Sequence, residues 1–196
     1  MKRIDVQEQG FTLLEAVVVI GIIAVLMGAA MFGSATVLPQ YRANTAQDLI
    51  VSALRQARFA AITQRRNVQV WISQTPSAPD QTQSINYQVL PAGTEQPSPP
   101  VSLFLPQGTQ FVVEPDLPDT PMAFGNSAPV YIGNLPGGPL VMMFQPTGAF
   151  TDQNNAILNG TIFLGMSAQP ATARAVTIMG GIGAINHYSW NGTQWQ

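Results

Sequence analysis

The stretch Gly10-Phe11-Thr12-Leu13-Leu14-Glu15-Ala16-Val17-Val18-Val19-Ile20-Gly21-Ile22-Ile23-Ala24-Val25-Leu26-Met27 decides how this chain is organised. It opens an apolar run in which 23 consecutive residues, Ala16 to Leu38, carry no charge. At a rise of about 1.5 Å per residue, about 20 residues cross the hydrocarbon core of a bilayer. Residues 11–38 are therefore long enough for a transmembrane helix. Lys2 and Arg3 precede the run and the next cation is Arg42, a bias that places the N-terminus in the cytoplasm. Three readings compete: a retained anchor, a secretory signal peptide cut at Gly33-Ser34-Ala35, and a buried core helix. Glu15 favours the first, because a secretory apolar segment has no use for a carboxylate in its first turn.

A carboxylate near the centre of a membrane helix costs about 2.5–3.5 kcal/mol on insertion scales and less near the interface, so it calls for a functional partner. Cleavage between Gly10 and Phe11 would supply one. The new ammonium of Phe11 would lie one helical turn from Glu15, or would meet the Glu15 of a neighbouring copy, neutralising two charges that an apolar packing disfavours. The alternative is that Glu15 only complements the macrodipole at the helix N-terminus.

Gly10-Phe11-Thr12-Leu13-Leu14-Glu15 before a pure apolar run resembles the signal of type IV prepilins and type II secretion pseudopilins. The resemblance implies a leader, residues 1–10, removed by a prepilin peptidase after Gly10. It further implies methylation of Phe11 and a role for Glu15 in assembly. It also implies an inner-membrane, single-pass protein whose C-terminal part is periplasmic or in a filament. The expected partners are other minor and major pseudopilins or pilins, the peptidase, an inner-membrane assembly platform and membrane lipid. Pro39 comes later than the helix-breaking proline of many such proteins, and Gly28 and Gly33 are expected to loosen the helix instead.

Beyond Pro39, Ala46, Leu49, Ile50, Ala53, Leu54, Ala57 and Ala61 recur at helical spacing. Gln47, Asp48, Ser52, Arg55, Gln56, Thr63 and Gln64 fall largely on the other side. An amphipathic helix is expected over 39–67, ending at Arg65-Arg66-Asn67, where cations suit the carbonyl pole and Asn can cap. The arginine pair is alternatively an anion site. From 68 to 196 the period changes to two. Strands are expected at 68–73, 84–90, 101–105, 109–113, 140–145, 160–166, 174–179 and 182–190. Of 16 prolines, 13 lie between Pro76 and Pro139, which excludes central strands from much of that segment and leaves edges and loops. Tyr188, Trp190, Asn191-Gly192 and Trp195 suggest a terminal hairpin. The expected fold class is α+β, a long N-terminal helix packed on a C-terminal antiparallel β domain.

Three further pieces narrow the resemblance. These are Ala57–Asn67 leading into Val68-Gln69-Val70-Trp71, then Phe144-Gln145-Pro146-Thr147-Gly148, then Arg174-Ala175-Val176-Thr177-Ile178 followed by Gly183. In this order they are similar to the GspH/FimT group of minor pseudopilins, whose outer domain is a β sandwich or two packed sheets on the helix. Some FimT members bind DNA through a basic C-terminal loop. The matching stretch here, Met179 to Asn186, has no cation. With a formal charge of −2 and a pI near 5.1, the chain has no basic field for phosphates, so nucleic acid is not an expected partner.

Catalytic and metal chemistry finds little footing. There is no cysteine and a single histidine, His187, which cannot make a zinc site alone. No Gly-x-Ser-x-Gly elbow is present. Glu114, Asp116 and Asp119 could ligate calcium but lack EF-hand spacing, and a solvated acidic loop is the favoured reading. Gly180-Gly181-Ile182-Gly183 reads as a turn and not as a nucleotide loop. No catalytic residue, cofactor or metal is expected. The sequence points to a structural subunit of a secretion pseudopilus or pilus, placed near a filament tip. Its rivals are a minor pilin for adhesion or DNA uptake and a membrane-tethered periplasmic binding domain.

Overall fold

The computed structural model describes residues 12–77, 82–93 and 95–196, without the side chains of residues 29–36 and 77. The chain divides into two compact units, Met1–Leu38 and Pro39–Gln196. Helix α1 is assigned over Leu13–Gln64 with Pro39 inside it. It passes through Gly28 and Gly33 without interruption. In the first unit, apolar side chains from Leu13 to Met27 are mostly exposed. Among the described residues no helix is long and apolar enough to cross a membrane. The expected span over 11–38 includes positions outside that description.

The second unit confirms the expected α+β class. Ala43, Ala46, Ile50, Ala53, Leu54, Ala57 and Ala61 are fully buried at steps of three and four residues, the signature of one helix face against a core. The helix ends earlier than expected. Arg65 takes the left-handed conformation (φ 53°), and the Arg66 N–H donates to the Ala61 carbonyl, a Schellman closure. Arg65, not Asn67, fills the capping position.

Ten strands follow: β1 (Val68–Ser77), β2 (Thr82–Val89), β3 (Val101–Phe104), β4 (Val130–Ile132), β5 (Leu135–Pro136), β6 (Met142–Phe144), β7 (Phe150–Thr151), β8 (Gly160–Leu164), β9 (Arg174–Met179) and β10 (Ala184–Ser189). They form two antiparallel five-stranded sheets, in orders β3-β2-β1-β6-β7 and β10-β9-β8-β4-β5. Val68 and Val70 of β1, Phe144, Phe150, Val130, Ile162, Val176 and Ile178 join the helix alanines and Leu54 in one core. Phe144 and Phe150 pack at 4.8 Å between ring centroids.

A second cluster lies on the other side of the second sheet, where Phe163, Ala173, Ala175 and Trp195 pack with Val113, Leu117, Tyr188 and Trp190. Covered on both sides, β8 is buried at all five positions and β9 at five of six. Their alternation is therefore weaker than a half-exposed strand would show.

The expected strand over 109–113 is not formed. Gln110 makes an isolated bridge with Gly165, and the Phe111 N–H donates to the Gln83 side chain instead of to a ladder. Phe111 is buried, which explains the apolar pattern without a strand. Strands β4, β5 and β7 went unexpected because two or three residues are too few for a period.

The proline-rich segment is tied at Pro118 to the C-terminal end of the chain. The terminal hairpin forms as expected: Ser189 and Gln196 exchange backbone hydrogen bonds around the Asn191-Gly192 turn. It places Trp195 so that its indole N–H donates to the Pro118 carbonyl at 2.8 Å.

Candidate functional site

The residues expected from the sequence to be functional lie at and just before the start of α1. Gly10 and Phe11 lie outside the described residues, and Thr12 and Glu15 lie within them. The Thr12 hydroxyl accepts the Glu15 backbone N–H at 3.2 Å, and the Thr12 carbonyl accepts the Ala16 N–H at 3.1 Å. Thr12 is thus the N-cap, and Thr12-Leu13-Leu14-Glu15 has the threonine-to-glutamate spacing of a capping box. Only half of the box closes. The Glu15 side chain is exposed and makes no hydrogen bond among the described residues. The cap is made by Thr12, which leaves the carboxylate available to another group.

The family description "Prokaryotic N-terminal methylation motif" matches residues 6–31. This is a prepilin-type N-terminus. The match ends well short of the β sheets, and neither a curated protein nor a solved structure matches the chain.

The remaining sequence candidates separate in the fold. Arg66 pairs with Glu95, and its hydrogen bond and charge hold that carboxyl below its ordinary value. Arg66 is therefore engaged within the chain, while Arg65 is exposed at the helix end. Among the described residues no three acidic or histidine side chains converge as metal ligands. Asp119 instead accepts the backbone N–H groups of Thr120 and Gly125, both at 2.7 Å, and so shapes its own loop. Nor is that loop uniformly solvated: Glu114 is buried, and its Oε1 has no partner among the described residues. His187 is exposed on β10, at the edge of its sheet.

Two polar residues matter more than the sequence indicated. Gln47, expected on the solvent side, is buried, and its amide donates to the carbonyls of Ala175 at 3.1 Å and Tyr188 at 2.7 Å. Arg174, at the start of β9, is 5% exposed. Its Nε donates to Asn44 Oδ1 at 2.7 Å and its Nη1 to the carbonyls of Ala171 and Ala173 at 3.2 and 2.8 Å. Burial lowers its pKa, though a guanidinium stays charged at neutral pH. A charge at the start of a strand gives no local signal of burial. An arginine leading into an apolar run was the only hint.

Proposed function

We propose that this prepilin-type chain is a non-catalytic minor pilin or pseudopilin, built into a type II secretion pseudopilus or type IV pilus and seated near the filament tip. The methylation motif over 6–31 carries the proposal, supported by a Glu15 side chain that the helix cap leaves unspent. In this reading residues 1–10 are a cytoplasmic leader removed between Gly10 and Phe11, and Phe11 is methylated. Residues 11–38 hold the chain in the inner membrane, and 39–196 face the periplasm or the filament surface. Two sheets on a helix agree with the GspH/FimT resemblance. Glu15 sets the assembly register by pairing with the Phe11 ammonium of this or a neighbouring subunit.

Intact-mass analysis and N-terminal sequencing of membrane-extracted protein test the processing step. The expected mature chain begins with methylated Phe11; a chain beginning after Ala35, or one retaining Met1, refutes the assignment. Glu15→Ala tests assembly. An orphaned buried charge costs about 3–5 kcal/mol, so incorporation should fall by a hundredfold or more while membrane abundance is kept. Cross-linking to other subunits, read beside a membrane-fraction blot, decides the matter. Wild-type incorporation would reduce Glu15 to a charge at the helix N-terminus.

A further inference from the structure

Burial of Arg174 requires compensation that the chain supplies only in part. The guanidinium sits on β9, on the strand side shared with Val176 and Ile178, and reaches Asn44 of the helix. Its three intramolecular acceptors are all neutral oxygens. Among the described residues no carboxylate pairs with it, the sole ion pair being Arg66–Glu95. Nε and Nη1 are spent, whereas Nη2 makes no hydrogen bond among the described residues and is not sealed from solvent. Arg174 also lines a cleft of about 390 Å³ together with Gln40, Pro170, Ser189, Trp190 and Asn191.

The cleft has a second donor. Asn191 spends its Oδ1 on the N–H groups of Thr193 and Gln194 and on the Thr193 hydroxyl. Its Nδ2 makes no hydrogen bond among the described residues. A largely buried guanidinium with two N–H groups still to give, lining one cleft with an amide that has two more, is a receptor for an oxyanion. Arg174 is the one charged side chain in the lining, and Pro170 and Trp190 give it apolar walls. One positive charge matches a monoanion with an apolar attachment, and a phosphate bearing nearly two negative charges would be left half neutralised. We propose that this cleft binds a carboxylate, held by Arg174 Nη2 and Asn191 Nδ2 against Trp190. The carboxylate belongs either to a small organic acid or to an acidic residue of a polypeptide.

The test follows the three indole N–H resonances of the full chain in detergent micelles during titration. The probes are sodium acetate, the tripeptide acetyl-Gly-Asp-Gly-amide, its Asn counterpart, and inorganic phosphate, all at constant ionic strength. Acetate and the Asp peptide should shift Trp190 saturably, leave Trp71 in place and compete with each other; the Asn peptide should do nothing. Saturation by the Asp peptide at markedly lower concentration than acetate assigns the site to a polypeptide, and equal concentrations assign it to free acids. Arg174→Gln should abolish the shift. Since that change also removes three structural hydrogen bonds, Asn191→Asp provides the second arm. It keeps the turn acceptor, places a competing carboxylate in the cleft, and should abolish the acetate shift while β10 amide resonances stay put. No saturable shift with either carboxylate, a preference for phosphate, or an undiminished acetate response in a folded Asn191→Asp protein overturns the proposal.

Discussion

Gln47 shows how one side chain can join a helix to a sheet. Its amide nitrogen has two hydrogens, and each meets a carbonyl, one on β9 and one on β10. Leucine would fill similar space but donate nothing to the Ala175 and Tyr188 oxygens. Gln47→Leu should cost about 1–2 kcal/mol, read as a lower midpoint in urea unfolding with unchanged slope. The Arg66–Glu95 pair is a contrasting case, because Glu95 lies in open solvent and exposed pairs contribute little. Its carboxyl pKa is lowered in the folded state, so its stabilisation is complete above the unfolded-state pKa. It is lost as pH falls through the lower folded value. The wild-type chain should therefore be slightly more stable than Glu95→Gln at neutral pH. That margin should close on acidification below the ordinary carboxylate range, as paired thermal melts across pH will measure.

At the scale of elements, turns and short strands depend on side chains from the helix. Arg58 Nε donates to the Gly148 carbonyl at 3.2 Å and Nη2 to the Ile182 carbonyl at 3.0 Å, so one arginine fixes the β6–β7 and β9–β10 turns together. Gly183 takes φ 61° beside it, and a Cβ there would collide with Arg58 and the Gly148 carbonyl. Arg58→Ala should speed amide exchange selectively in residues 146–149 and 180–183. It should lower global stability by only about 1 kcal/mol, since the partly solvated carbonyls recover water. Equal acceleration throughout the sheets would show that Arg58 holds the whole unit and not two turns.

For the whole molecule, charge placement bears on partners. The β9–β10 turn has no cation of its own, and Arg58, the helix cation against it, is spent on carbonyls. With a formal charge of −2 and no cation in that turn, there are few counterions to release from a duplex. The full chain in nonionic detergent should show no salt-dependent affinity for double-stranded DNA at physiological ionic strength in fluorescence anisotropy. Micromolar binding that weakens steeply with salt would restore DNA uptake as a function.

The N-terminal motif, the helix face and the longer strands were legible in the sequence because each is a local pattern. Glycine and phenylalanine before an apolar run, alanines at steps of three and four, and alternation over 68–73 need no distant contact to be recognised. The class α+β follows from those periods, whereas Glu15 stands out as a lone carboxylate beside an apolar run and through the prepilin resemblance. Burial of polar residues was decided only in three dimensions. Gln47 faces the core because its amide reaches a carbonyl 141 residues away, and Arg174 is submerged because Asn44, 130 residues earlier, meets it. Strands of two or three residues are too short to show a period and exist by pairing with longer neighbours, as β4 does with β8. The proline-rich segment likewise takes its place from Trp195 at the far end of the chain. Local spacing encodes which face of an element is apolar; the cleft at Arg174 arises where the helix, β9 and the terminal hairpin converge, and no window of sequence contains all three.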